Sequence, residues 1–300
     1  MGTKYIIGVI VAIICGVVST VGVMLQKKVV NDVPLESRDK GLMRQLMKKP
    51  LWLLGLFLQV GLGAATFIIA QELIGPALVP GLMASGLIVL AIGSVKLMGE
   101  TLNMSEYIGV FLMTIGILLL GLSEMAINVE VVRESLALSS IIFRITIFTV
   151  SLFFLCGVMH LVSMRSARRK GVIMGFSNGF LYAQSNFWVS PLLAVITLVL
   201  AAKGSHAQII IFILACIILL GTNIVAIIQI QQAFRFGQVS NVIPVQQIPI
   251  QIAPILVYFY AFSLRPPKNI SSVFIIIGVL LIIISGFLLG RRQSEMEKIQ

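Results

Sequence analysis

The sequence predicts an all-α membrane protein of nine transmembrane helices, built as two inverted four-helix repeats joined by a connector helix. Three observations predict it. The 300 residues are 58% hydrophobic and 11% charged, with a mean hydropathy of +1.06, so little of the chain would dissolve as a water-soluble globule. The apolar residues fall into nine runs separated by polar links, most long enough to cross about 30 Å of hydrocarbon as helices. Runs early in the chain also resemble runs late in it, in the same order.

The nine runs cover residues 5–26, 51–70, 73–97, 107–122, 138–162, 172–200, 207–229, 242–262 and 273–289. The first is too long for a signal-peptide core and ends in Lys27 and Lys28 without a cleavage site, so it is expected to remain as a helix. The link 29–50 is the sizeable loop, and its far end, GLMRQLMKK, has the basic amphipathic character of a short surface helix. The sixth run would be about 44 Å long if fully helical, and Pro191 is expected to kink it or to start an interfacial segment. The eighth lies within QVSNVIPVQQIPIQIAPILVYFYAF, where Pro244, Pro249 and Pro254 accompany Gln246, Gln247 and Gln251. Each proline frees a carbonyl and each amide needs a partner, so this segment belongs inside a bundle or beside a watery cavity. Pro80, Pro191, Pro244 and Pro249 are the expected helix breaks and gating points.

Lysine and arginine placement sets the orientation. With the amino terminus outside, the inner loops and tail hold sixteen of the 22 basic residues, and the outer side keeps Lys4, Arg133, Lys203, Arg265 and Lys268. The expected topology is amino terminus out and carboxyl terminus cytoplasmic, in a cell membrane. The same bias accounts for the net charge of +11, and with no soluble domain to carry a basic face it implies no nucleic-acid partner. Cys15, Cys156 and Cys216 fall inside apolar runs, without a disulfide framework or a metal-ligand spacing.

Internal similarity gives the domain organisation. GVIVAIICG from Gly8 resembles GVIMGFSNG from Gly171 at an offset of 163, and Val79-Pro80 matches Ile243-Pro244 at 164. IGVFLMTIGILLLG from Ile108 matches IGVLLIIISGFLLG from Ile277 at eight of fourteen positions. Residues 1–125 and 171–300 form the two units, with 126–170 as connector. A single helix between them makes the second unit enter the membrane from the opposite face. That is the arrangement in which a midplane site faces the two sides in turn.

Several short stretches then suggest a family: Gln26-Lys27-Lys28 closing run one, Phe67, Ala77-Leu78-Val79-Pro80, Ser85, Gly99-Glu100-Thr101-Leu102-Asn103, Ala233 and Val242-Ile243-Pro244. Their order and wording resemble the EamA-like drug/metabolite transporter superfamily, and within it the NIPA-like branch. The resemblance implies inverted repeats and transport, and for the branch nine spans and magnesium as substrate. Where the branch pattern has Gly-Glu-x-x-Asn-Phe, this chain has Leu62-Gly63-Ala64-Ala65-Thr66-Phe67, so Gly63 stands in place of the acid and Thr66 in place of the amide. Magnesium favours one or two carboxylates with retained water, and no carboxylate lies deep in any run.

The residues themselves suggest a pathway lined by neutral hydrogen-bonding groups: Gln59, Thr66, Ser85, Asn178, Gln184, Asn223, Gln246, Gln247 and Gln251. Ser19 or Thr20 with Asn178, and Gln59 with Asn223, fall near equivalent positions of the units, so a pseudo-twofold axis is expected to bring each pair together. Such groups suit a polar or zwitterionic organic solute better than a bare ion; the competing reading is interhelical glue. Charged candidates are Glu72 at an outer turn, Glu100 capping an inner turn, Arg144 near one end of run five where it can snorkel, and His160 near its other end as proton shuttle or interfacial residue. No metal ligand set is assigned and no cofactor is called for. Two histidines and no clustered acids supply no catalytic constellation. The expectation is a transporter of a small polar metabolite working by alternating access, with Mg2+ or another divalent cation as the alternative and a non-transporting scaffold as the second. Its partners would be membrane lipids and the solute or cation, with a homodimer left open.

Overall fold

A computed structural model describes residues 3–32, 42–74, 79–83, 85–86, 89–90, 93, 103–123, 129–166, 169–266 and 268–296. Among these there is no strand. The helices are α1 (Thr3–Asn31), α2 (Leu42–Leu46), α3 (Pro50–Ile74), α4 (Val79–Leu82), α5 (Met104–Leu122), α6 (Val129–Ser135), α7 (Ser139–Arg165), α8 (Lys170–Leu200), α9 (His206–Phe236), α10 (Val239–Leu256, continued by a π-helical turn Val257–Ala261) and α11 (Asn269–Met296). Seven of them, α1, α3 and α7 to α11, carry segments long and apolar enough to cross a membrane, and α5 contributes a shorter apolar stretch, Met104–Leu119. The fold is that of an integral, multi-pass, all-α membrane protein. Most of run 73–97 lies outside the described residues, as does Glu100.

Local chemistry explains the helix limits. Pro50 sits in the first turn of α3, where its missing N–H costs nothing. Ser205 and Gln208 form a reciprocal capping box at the start of α9. Glu106 accepts from the Asn103 amide at 2.8 Å and so caps α5. Pro191 neither breaks nor ends α8, which runs unbroken for 31 residues; the proline is buried among neighbours instead. Large apolar side chains such as Phe154, Leu220 and Phe287 are exposed on α7, α9 and α11, which gives these helices lipid-facing surfaces.

Packing relies on close backbone approach. Gly22 of α1 and Gly55 of α3 face each other's carbonyls, with room for no side chain between them. Gly16 lies on the Met83 backbone and Gly179 on the Gln246 carbonyl; Gly8 lies on Ile74 and Gly171 on Gly237. In both comparisons each residue stands 163 positions before its counterpart. Helices α5 and α11 pack antiparallel: Ser285 Oγ donates to the Gly109 carbonyl at 2.5 Å, while Gly116 faces the Gly278 carbonyl. In the matched runs Gly109 corresponds to Gly278 and Gly116 to Ser285, so the two contacts exchange with each other. This is a self-complementary contact.

Helix directions follow from two junctions. Lys27, near the end of α1, reaches the last turn of α9, and the same end of α9 covers Gly171 at the start of α8. Thus α1 runs toward this end of the bundle and α8 runs away from it. Gly179→Val would force methyl groups into the Gln246 carbonyl and is expected to destabilise by about 3 kcal/mol or more. Gly157→Ala, where a Cβ meets nothing within 4 Å, should leave the melting temperature in detergent unchanged.

Candidate functional site

At the Lys27 end, polar groups from four helices are joined. Gln59 sits in a π-helical turn of α3, Phe57–Leu62, an irregularity that often marks functional positions. Its carbonyl oxygen accepts from Gln26 Nε2 at 2.7 Å, and its Nε2 donates to the Tyr182 hydroxyl at 3.2 Å. Gln231 Nε2 donates to Gln26 Oε1, so α1, α3, α8 and α9 are linked. Beside them Lys27, only 4% exposed, donates to the Phe234 carbonyl and to the Gly237 carbonyl, the latter at 2.8 Å. The last carbonyls of a helix have no intrahelical donor and carry the negative end of its dipole, so a buried ammonium is tolerable there. The Phe234 ring, 5.5 Å away, adds a cation–π contact.

A second cluster lies farther along α8. Asn178 Nδ2 donates to the Ala226 carbonyl at 2.8 Å and lies 3.3 Å from Gln229 Oε1, while Gln246 Nε2 donates to Asn178 Oδ1 at 2.6 Å. Gln229 Nε2 also donates to Ser177 Oγ at 3.0 Å and lies 3.2 Å from His160 Nδ1. A similar arrangement made of sulfur lies between α1, α3 and Met83. Cys15 donates to the Gly63 carbonyl at 3.2 Å and lies 3.7 Å from Met83 Sδ, and Cys15, Gly63 and Met83 stand 163 positions before Asn178, Ala226 and Gln246. Asn178 bonds Ala226, Gln229 and Gln246 rather than Ser19 or Thr20, and the residue 163 positions before it is Cys15.

The third feature is a cavity of about 480 Å³ on the side of Tyr182 away from Lys27. Pro80 of α4 forms one wall, Val132 of α6 touches the rim, and Ala183, Asn186, Phe187 and Ser190 of α8 face Ile250, Ala253, Pro254, Val257 and Phe262 of α10 and its extension. Gln251 Nε2 donates to the Pro80 carbonyl at 3.2 Å and to Gln247 Oε1 at 3.2 Å, which ties α10 to α4. Pro191 and Pro254 lack the N–H groups that would meet the Phe187 and Ile250 carbonyls, so two cavity-lining residues carry acceptors freed from the helix ladder. Arg144 donates to Ser263 Oγ and the Tyr260 carbonyl, holding the end of α10 next to Phe262.

The expected site residues therefore divide. Gln59 belongs to the Lys27-end network, Asn178 and Gln246 to the amide cluster, and Gln247 and Gln251 to the α10–α4 tie. Asn223 bonds Ser185 Oγ at 2.7 Å and the Leu219 carbonyl at 2.8 Å, so it does not join Gln59, which has its own partners. Thr66 back-bonds to the Leu62 and Gly63 carbonyls of its own helix, and Ser85 donates to the Ile13 carbonyl at 3.3 Å. Gln184 is fully buried, with both amide atoms unpartnered. Pro80 lines the cavity, whereas Pro244 and Pro249 are buried along α10. Glu72 is exposed near the end of α3, and His160 is half-buried against Gln229. Sequence reasoning missed Gln26, Lys27, Tyr182 and Gln231 as a network, and Asn186 and Ser190 as cavity groups. The offset of 163 would have found Cys15 and Met83.

Among the described residues no three of His, Cys, Asp or Glu come together to hold a metal. Comparison with family models, curated proteins and solved structures gives no match for this chain. The chemistry of the site is thus the guide to function.

Proposed function

We propose that the protein carries a small polar organic solute across a cell membrane by alternating access between two inverted four-helix units, in the manner of the drug/metabolite transporters it resembles. The observation that carries this reading is a cavity walled by Pro80 from the first unit and by α8 and α10 from the second, with a hydrogen-bonded network between the units on one side of it. The exchanging α5–α11 contacts are what a pseudo-twofold axis in the membrane plane would produce, and the opposed directions of α1 and α8 agree with it. Run 73–97 and α5 then complete the first unit, giving nine spans with α7 as connector. The distribution of lysine and arginine puts the Lys27 end in the cytoplasm, with the amino terminus outside.

In this reading the described state is closed to the cytoplasm by Lys27 and the Gln26–Gln59–Tyr182–Gln231 network. Rocking one unit against the other breaks those bonds and closes the cavity from the outer side. A divalent cation has less support, because among the described residues the cavity wall offers an amide and a hydroxyl but no carboxylate. The test is counterflow in liposomes preloaded with unlabelled metabolite mixtures. Accumulation of one labelled organic solute, lost in Gly179→Val, is expected; a folded, monodisperse protein that exchanges neither organic solutes nor Mg2+ would instead favour a scaffold.

A further inference from the structure

We propose that the cavity between α4, α8 and α10 binds an uncharged organic molecule with an apolar body and at least one N–H or O–H donor, to the exclusion of divalent cations and carboxylates. This deepens the transport reading and rests on it for the site's role, though not for the site's existence. The cavity is partly open, and its lining residues enclose about 480 Å³ when the part open to solvent is counted. Phe187, Ile250, Val257 and Phe262 give the wall its apolar, partly aromatic character.

The polar groups are few and biased toward acceptance. Ser190 is 5% exposed, and neither its hydroxyl nor the Asn186 amide makes a hydrogen bond within the described residues. Phe187 and Ile250 also line the cavity, and their carbonyls lack the helix donor that Pro191 and Pro254 cannot supply. A bound donor would satisfy groups that otherwise face an apolar hollow, and leaving such groups unpaired is costly. Among the described residues that line the cavity, none is charged. An anion therefore meets no counter-charge and a divalent cation no carboxylate, so either would lose its hydration without replacement.

The test compares benzamide, benzoate, benzylammonium and MgCl2 as probes on the purified full chain in detergent, read by thermal shift and by equilibrium dialysis. The first three share one body and differ in charge. Benzamide should bind and stabilise, the other three should not, and Asn186→Leu or Ser190→Ala should weaken benzamide binding by about tenfold, as loss of one buried bond implies. Should Asn186→Leu fail to fold, Ser190→Ala and Asn186→Ala carry the comparison. Protection by Mg2+ or benzoate that depends on Asn186 overturns the proposed class while leaving transport intact. Absence of binding by every probe, or benzamide binding untouched by both substitutions, also overturns it. Asn186-dependent benzamide binding without exchange of labelled benzamide in liposomes upholds the site and contradicts transport.

Discussion

Lys27→Met should lower the melting temperature by on the order of 6–10 °C, from about 3 kcal/mol of lost stability. The Lys27 ammonium donates to two carbonyls at the end of α9, and bonds from a charged donor are worth roughly 1.5–3 kcal/mol each. Removing the ammonium also removes its desolvation cost, which keeps the net loss below the sum of the two bonds. The stranded Phe234 and Gly237 carbonyls remain. Lys28→Met is the control: the Lys28 side chain is exposed, so its effect should stay within about 0.5 kcal/mol. Thermal denaturation in detergent separates the two. An equal, small effect for both would mean that Lys27 fixes nothing between α1 and α9.

Asn178→Leu has the second large expected effect, about 2–4 kcal/mol, because it strands Gln246 Nε2, Gln229 Oε1 and the Ala226 carbonyl together. The repeat supplies a sharper version. Cys15 and Met83 stand 163 positions before Asn178 and Gln246 and lie in contact, so Asn178→Cys with Gln246→Met installs a pair found elsewhere in the fold. Each single substitution should cost about 1–2 kcal/mol by leaving Gln246 Nε2 or Asn178 Oδ1 without its partner, whereas the double variant, which removes both, should fall within about 1 kcal/mol of the parent. Additive costs, measured as a double-mutant cycle on melting, would break the equivalence of the two clusters.

Membrane class and the all-α architecture were readable because lipid imposes one rule on every span: apolar residues outside and a fully bonded backbone within. Helix ends were less readable. Run 207–229 continues as α9 to Phe236 because Gln231, Ala233 and Phe234 are covered by protein, so the helix outlasts the apolar signal. Run 5–26 likewise extends to Asn31 in α1. The amides of α10 pointed to a buried helix, and Gln246 and Gln251 are buried; that Gln246 bonds Asn178 was not foreseen.

Partner choice was not legible, because register decides it and register is set by glycine contacts one repeat apart. Cys15 and Met83 read as apolar residues although they occupy amide positions. The cavity's acceptors were hidden for a different reason. Those on Phe187 and Ile250 are backbone carbonyls released by prolines four residues later, and no side-chain inventory counts them. Gln59 and Asn223 were expected to meet because they are near equivalents, but each is held by other partners, Gln59 by Gln26 and Tyr182 and Asn223 by Ser185 and Leu219.

Alternation itself is tested most directly by Ser190→Cys in a chain lacking Cys15, Cys156 and Cys216, reacted with a membrane-impermeant maleimide in right-side-out and inside-out vesicles. With Lys27 present, reaction should come from the outer side alone; with Lys27→Met added, reaction from the cytoplasmic side should rise as the outer reaction falls. Reactivity from one side that ignores Lys27, or from neither side, would contradict a cavity exposed in turn to the two faces.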